Sequence, residues 1–281
     1  MKRILVTGGS GFVGRNLIKG LFHQYTDIEI TSLSRSEGFI SQLLVECPDK
    51  RLKIEIADLR DAHAIRQIIK GKDTVIHLGA MKRVDLCEAK CREAVTINVM
   101  GTMNVLDYFC GDTFILMSTD KAVEPCNCYG ATKLVAERMV LERAAKRLGD
   151  NRYMIVRCGN IIGSTGSVMD IWKTQIAQRN EITVTHPDMM RYYTGIEGVV
   201  KLYIAVLEFG ENGKLYHTPS GEAIILKDMI SQALKLYGNK NTKVKYVGLR
   251  MGERMVEKMC TPAETYAIAN FSERIGIEVK L

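Results

Sequence analysis

An apolar strand running straight into a glycine-spaced turn constrains this chain more than any other feature. Arg3-Ile4-Leu5-Val6 leads into Thr7-Gly8-Gly9-Ser10-Gly11-Phe12-Val13-Gly14, and a helical pattern follows. Glycines three residues apart permit a tight turn, close approach of backbone to a diphosphate, and close helix–strand packing. The helix that opens there offers free N–H groups and the positive end of its dipole to phosphate charge. Gly8, Ser10, Gly11, Phe12, Val13 and Gly14 are therefore expected to cradle a dinucleotide.

The pattern after this turn repeats the same alternation. Short β-branched runs at Glu29–Leu33, Leu52–Ala57, Thr74–Leu78, Thr113–Ser118 and Met154–Cys158 are separated by helical stretches at Gly14–Gln24, Ala62–Lys70, Val95–Phe109 and Ala131–Leu148. Mostly apolar strands alternating with helices predict an α/β fold, a doubly wound parallel sheet covered on both faces. Its ligand crevice lies at the C-terminal ends of the strands. After Gly163 the texture changes at the turn-rich Ser164-Thr165-Gly166-Ser167. Helices are expected over Val168–Arg179, Val199–Glu208 and Ile225–Tyr237, with a short strand at Leu215–Thr218. The expected division is a dinucleotide domain over 1–163 and a smaller substrate-binding lobe over 164–281. Part of 191–219 returns to the main sheet.

Composition narrows the setting. With 281 residues, 46% apolar and 25% charged, the chain reads as globular, and no apolar run reaches the ~20 residues of a membrane span. Thr7-Gly8-Gly9 interrupts the N-terminal apolar run too early for a signal peptide, so a cytoplasmic protein is expected. The net charge of +7 suits an anionic ligand and equally a solvated surface. The basic residues are scattered without aromatic interleaving, which argues against a nucleic-acid surface. The eight cysteines form no paired C-x-x-C sets, so reduced thiols and no metal site are expected.

The end of the second strand selects the dinucleotide. An NAD site wants a carboxylate there for the ribose 2′-hydroxyl. This chain has Ser34-Arg35, with Glu37 the nearest acid. A hydroxyl and a guanidinium suit a 2′-phosphate, so NADP is expected. Asp58 and Leu59 follow the third strand, where they can meet the adenine, while Asp58 or Asp61 reads equally as a helix N-cap.

The chemistry is carried by Ser118-Thr119-Asp120-Lys121 and Tyr129-Gly130-Ala131-Thr132-Lys133. A Tyr four residues before a Lys on a helix shares its face. An ammonium placed there lowers the phenol's pKa and makes it an acid/base group. Asp120 and Lys121 add a second couple, Lys121 as a base if neutral and Asp120 as an acid if protonated. One couple oxidises an alcohol, whereas two suggest a further proton and hydroxyl moved on the same substrate.

The glycine turn, the Ser-Thr-Asp-Lys run and Tyr129-x-x-x-Lys133 together resemble the extended short-chain dehydrogenase/reductase family, and within it the UDP-N-acetylglucosamine 4,6-dehydratases. The likeness continues through Ala80-Met81-Lys82-Arg83-Val84, Asn98-Val99-Met100-Gly101-Thr102, Arg157-Cys158-Gly159-Asn160, Met190-Arg191-Tyr192-Tyr193-Thr194 and Gly248-Leu249-Arg250-Met251-Gly252-Glu253-Arg254. It departs at Leu78-Gly79, Asp85 and Met251. The resemblance implies a Rossmann domain binding NADP and a lobe binding a UDP-sugar. It adds Ala80, Lys82 and Asn98 to the cofactor site. It places Lys82, Asn160, Arg191, Arg250 and Glu253 on the substrate, the last three on the diphosphate and ribose. It implies C4 oxidation by Tyr129 with Thr119 on the C4 oxygen, water loss across C5 and C6, and return of hydride to C6, with inversion at C5 favoured. It also implies a homo-oligomer, dimer or hexamer, built through the apolar faces of 95–109 and 131–147. Rival readings are a UDP-sugar 4-epimerase, a dehydratase on another nucleotide sugar, and a non-catalytic NADP sensor. A sensor would tend to lose the Tyr-Lys pair kept here.

Overall fold

The computed structural model describes residues 1–146, 149–164, 166–218 and 223–262. The last part of the expected C-terminal lobe, 263–281, lies outside the described residues.

The first half alternates β1 (Lys2–Thr7), α1 (Phe12–Gln24), β2 (Ile28–Ser34), α2 (Glu37–Glu46), β3 (Leu52–Ile56), α3 (Ala62–Ile69) and β4 (Thr74–His77). Helices α4 (Val84–Ala89), α5 (Cys91–Val95) and α6 (Gly101–Tyr108) precede β5 (Thr113–Thr119), α7 (Cys128–Ala145) and β6 (Arg152–Cys158). Then come β7 (Asn160–Ile161), α8 (Val168–Arg179), β8 (Glu181–Val184), β9 (Met190–Thr194) and α9 (Ile196–Phe209). The chain continues through β10 (Leu215–His217), β11 (Ala223–Ile225), α10 (Leu226–Tyr237) and β12 (Lys243–Tyr246).

Seven strands form one parallel sheet in the order β3-β2-β1-β4-β5-β6-β10. The order reverses between β1 and β4, which opens a crevice at their C-terminal ends. Both faces are covered. On one, Ile4, Val6, Ile76 and Val156 pack against Leu17 and Leu21 of α1 and Leu202 and Val206 of α9. On the other, Leu5, Val75, Leu116 and Ile155 pack against Ile65 of α3, Val105 of α6 and Val140 of α7. Burial on both sides explains why β4 is inward along its whole length.

The later elements form a smaller assembly. Strands β11, β9 and β7 make a three-stranded sheet, and β12 pairs with β8. Trp172 and Ile176 of α8 pack with Met229, Ile230 and Ala233 of α10, Ile182 and Val184 of β8, and Met189.

Two expectations change here. The single helix expected over Val95–Phe109 is α5, a π-helical turn at Thr96–Met100, and α6. That turn carries Asn98 into the interior, where only 1% of it is exposed, and such π-turns often serve function. Helix α7 begins at Cys128 rather than Ala131, because the Asn127 side chain caps it by accepting from Gly130 N–H at 2.7 Å.

Gly130 packs the first turn of α7 onto the backbone of Lys121. A Cβ at 130 would lie 2.0 Å from the Lys121 carbonyl oxygen. Gly130→Ala is therefore expected to cost about 1–3 kcal/mol in urea denaturation and to separate Lys121 from Tyr129. Gly38→Ala on α2, where a Cβ meets nothing within 4 Å, is expected to stabilise by about 0.5–1 kcal/mol.

Candidate active site

The glycine turn is shaped for a dinucleotide. Gly8 sits at φ +69°, and a Cβ there would come within 2.9 Å of Gly79 N. A Cβ at Gly14 would meet the carbonyl oxygens of Gly8 and Gly9 at 2.5 Å. Helix α1 is preceded by Gly11, which offers no side-chain cap, and has no acid in its first turn, so its N–H groups keep their capacity for phosphate. Arg15 Nη1 donates to the Ser10 carbonyl at 2.9 Å and braces the turn. Phe12 and Val13 pack from the start of α1 against the core. These residues fit a nicotinamide dinucleotide.

The second-strand end is more engaged than its sequence suggests. Ser34 is buried, and its Oγ accepts from Ser10 N–H at 3.0 Å. Arg35 Nη1 lies 2.9 Å from Asp58 Oδ2, and Arg60 Nη2 lies 2.7 Å from the same oxygen. Asp58, held far below the ordinary carboxylate range chiefly by Arg60, is thus the anchor of this corner rather than a helix cap. Asp61 caps α3 by accepting from Ala64 N–H at 3.0 Å. Leu59 is buried against Gly101 and Gly79.

Asn98 fastens the segment after β4. Its Oδ1 accepts from Met81 N–H at 2.7 Å, and its Nδ2 donates to the Met81 carbonyl at 2.9 Å and to Thr132 Oγ1 at 3.0 Å. Asn98 thereby supports the loop carrying Ala80 and Lys82, whose pKa burial lowers.

The candidate chemical centre lies where β5 ends. Thr119 Oγ1 donates to Asp120 Oδ1 at 2.8 Å and stands near enough to Tyr129 to lower its pKa. Lys121 Nζ lies 3.1 Å from Asp120 Oδ1 and 3.0 Å from Glu257 Oε2. Glu257 Oε2 also takes Arg191 Nε at 3.1 Å and Asn160 Nδ2 at 3.4 Å. A narrow cleft is lined by Asp120, Lys121, Asn127, Arg254 and Glu257.

The charge states differ from the expected ones. Burial pulls Lys121 down, but Asp120 and Glu257 outweigh it and hold the ammonium above its ordinary range. Lys121 is therefore charged rather than neutral. Asp120 is 1% exposed; burial raises it, yet Lys121 and the hydrogen bonds leave it below the usual range, so it is ionised rather than protonated. Burial pushes Tyr129 up to about 12, and the first charge acting against that is Lys121, not Lys133. Lys133 is itself lowered to about 8 by burial, with Glu137 opposing. The shared helix face is real, but the cation acting on the phenol comes from the other couple.

Arg191 also departs from its expected place on a diphosphate. Besides Glu257, its guanidinium donates to the carbonyls of Met190, Arg254 and Met255 at 2.8–3.2 Å. It ties β9 to the 254–257 segment. Arg250 and Glu253 lie together on the 248–253 loop, where Glu253 Oε2 accepts from Arg250 N–H at 2.9 Å. Asn160 donates to Glu257 and, at 3.4 Å, to the Tyr192 carbonyl. Glu257 and Asn127 escaped sequence reasoning. Asn127 had a signal, a capping residue just before a helical pattern, whereas Glu257 had none.

A family model described as polysaccharide biosynthesis protein matches residues 4–278. An uncharacterized membrane protein of Methanocaldococcus jannaschii is 34% identical over 97% of this chain and 84% of its own length. The UDP-glucose 4-epimerase of Rickettsia bellii is 30% identical over 94% of this chain and 79% of its own. The solved structure of Pen from Bacillus thuringiensis matches with a TM-score of 0.88 at 30% identity, covering 94% of this chain and 85% of that one. DesIV of Streptomyces venezuelae, a dTDP-glucose 4,6-dehydratase with NAD and TYD bound, matches with a TM-score of 0.85 at 20% identity over 99% and 92%, a likeness of fold. The chain belongs to the polysaccharide biosynthesis protein family and has the extended short-chain dehydrogenase/reductase fold. Among the described residues no helix is long and apolar enough to cross a membrane.

Proposed function

We propose that this family member is an NADP-dependent UDP-N-acetylglucosamine 4,6-dehydratase that inverts C5. The observation that carries the reading is the second acid/base couple, Asp120 with Lys121 at 3.1 Å, set just before the helix that carries Tyr129. Alcohol oxidation alone does not require it.

A nicotinamide dinucleotide held by the Gly8–Gly14 turn would accept the C4 hydride and, after water has left, return it to C6 as C5 is protonated. Burial leaves Tyr129 a neutral phenol in the cofactor-free site; as the phenolate that Lys121 and the positive charge of a bound nicotinamide would favour, it takes the C4 hydroxyl proton, and Thr119 steadies the C4 oxygen. The resulting ketone acidifies C5–H. Lys121 is charged, so it takes the C5 proton only after passing its own to Asp120, 3.1 Å away. Asp120 then delivers that proton to the departing C6 oxygen, which leaves as water. Lys121 returns a proton to C5. The proton held by Tyr129 resets the couple through Thr119, so the proton count closes over the cycle. Arg250 and Glu253 remain proposed contacts for the UDP moiety.

A second reading, UDP-sugar 4-epimerase, is favoured by the name of the Rickettsia bellii relative. A proton NMR time course on UDP-N-acetylglucosamine separates the two. A new methyl doublet with loss of the C6 hydroxymethyl is expected, whereas a C4 epimer alone overturns the dehydratase reading. No turnover at all would favour the sensor class.

The cofactor part has its own test. Arg35→Ala is expected to weaken NADP binding by at least about tenfold while NAD binding changes little, since it removes a phosphate-binding guanidinium. Calorimetric titration with each dinucleotide checks this, and equal losses for both would exclude a 2′-phosphate contact.

A further inference from the structure

Two thiols touch at the start of the helix that carries Tyr129. Cys91 opens α5 and Cys128 opens α7, and Cys128 Sγ donates to Cys91 Sγ at 3.3 Å across 37 positions of sequence. Their neighbours are engaged elsewhere. Buried Cys87 donates to the Met81 carbonyl at 3.5 Å, and Cys126 donates to the Gly252 carbonyl at 3.4 Å. Among the described residues no group of His, Cys, Asp and Glu is arranged to hold a metal ion. Cys91 is exposed and lines a surface hollow of about 620 Å³ with Arg60 and Glu93. Lys90 and Arg92, its chain neighbours, line the same hollow and suit an anionic visitor. Cys128 is only partly exposed, and burial pushes its thiol up to about 12.

We propose that Cys91 and Cys128 form a reversible disulfide, made by exchange with a small anionic disulfide, that lowers turnover by displacing Tyr129. The exposed Cys91 sulfur attacks one sulfur of the small disulfide. The other sulfur leaves as a thiol, taking the Cys91 proton. Cys128 then attacks the Cys91 sulfur of the mixed disulfide, and the second small thiol leaves with the Cys128 proton. The two protein thiols lose two electrons and two protons, and the small disulfide is reduced to two thiols. The bond draws the sulfurs from 3.3 Å to about 2.05 Å. That pull falls on the residue next to Tyr129. The first turn of α7 has little freedom to absorb it. Glu88 Oε1 accepts from Cys128 N–H, and Gly130 lies so close to the Lys121 carbonyl that a Cβ would come within 2.0 Å. Tyr129 therefore moves relative to Thr119 and Lys121. Misplacing a reacting group by about 1 Å costs up to about 100-fold in rate.

Only the turnover arm of the test rests on the dehydratase reading. The whole protein is incubated with oxidised glutathione and its remaining thiols are alkylated. Mass spectrometry without reduction is expected to show a peptide linking Cys91 to Cys128, lighter by two hydrogen atoms than the two free peptides together. Cys128→Ser is expected to stop at a glutathione adduct on Cys91. Absence of the linked peptide in the wild type, or of that adduct in the variant, overturns the proposal whatever the reaction. Turnover of the cross-linked wild type is expected to fall at least about tenfold and to return with dithiothreitol. Cys91→Ser is expected to keep the turnover of the reduced wild type and to resist the oxidant. Full turnover in the cross-linked protein, or an equal loss in Cys91→Ser, overturns the control of Tyr129. Failure of the dehydratase reading shows separately, as a reduced wild type that forms no methyl doublet while the linked peptide still forms.

Discussion

Tyr129→Phe should leave the fold and dinucleotide binding in place and lower turnover at least about 100-fold, the scale of a positioned proton-transfer group. The variant removes one oxygen from a helix whose start is set elsewhere, by Asn127 and by Gly130 against Lys121. What is lost is the hydroxyl between Thr119 and the site where the C4 hydroxyl must sit. The check is product formation followed by NMR, beside calorimetric titration with NADP. Wild-type turnover in Tyr129→Phe would remove Tyr129 from the reaction. The neighbouring Lys133 gives a second, independent readout. It is 3% exposed and its pKa stands near 8, against 10.5 for an ordinary lysine. Between these values the unfolded chain holds a proton that the folded chain does not, so the stability of the cofactor-free protein should rise with pH across that window. The full rise amounts to about 3 kcal/mol. Lys133→Met should abolish it, as measured by urea denaturation at several pH values.

How far such sites can be read without a structure depends on whether the information is local. The parallel sheet was legible because its strands bury both faces and read as unbroken apolar runs, as in Thr74–His77. The glycine turn was legible because its spacing carries the backbone geometry. Strands β7, β9 and β11 were not, since they are two to five residues long and only partly buried, and their partners lie far away in sequence. The site divides the same way. Thr119, Asp120, Lys121 and Tyr129 sit within one strand–turn–helix passage, so sequence spacing alone brings these candidates together. Glu257 lies 136 residues from Lys121, and no spacing rule reaches it. It arrives because Met190 pairs with the 255–256 segment, which lays Glu257 beside Arg191. Residue type then misleads about partners. A guanidinium such as Arg191 can grip a diphosphate, but here Glu257 and three carbonyls already occupy it.

Lys121→Met should abolish the proposed dehydration and, unusually for a residue next to a cleft, destabilise the fold by about 3 kcal/mol at neutral pH, the lower end of the cost of breaking a buried ion pair. The loss arises because Asp120, with no side-chain exposure, keeps its charge but loses the cation that leads the effects holding its pKa down. Burial, the largest effect on this carboxyl, then outweighs the hydrogen bonds that remain, Thr119 among them, and raises Asp120 above its unfolded value. A carboxyl raised in this way has its full stability below the unfolded pKa and loses it as pH rises through the folded one. The deficit of the variant should therefore shrink on acidification and deepen toward neutral pH. If the charge is the cause, Asp120→Asn combined with Lys121→Met should recover most of the stability, because the pair is then replaced on both sides. It should recover none of the turnover, since both proton carriers are gone. Urea denaturation across pH, with the NMR assay alongside, separates the outcomes. A deficit that does not vary with pH, or that persists in the double variant, would mean that Lys121 supports the fold through its aliphatic stem or its ion pair with Glu257 and not through Asp120.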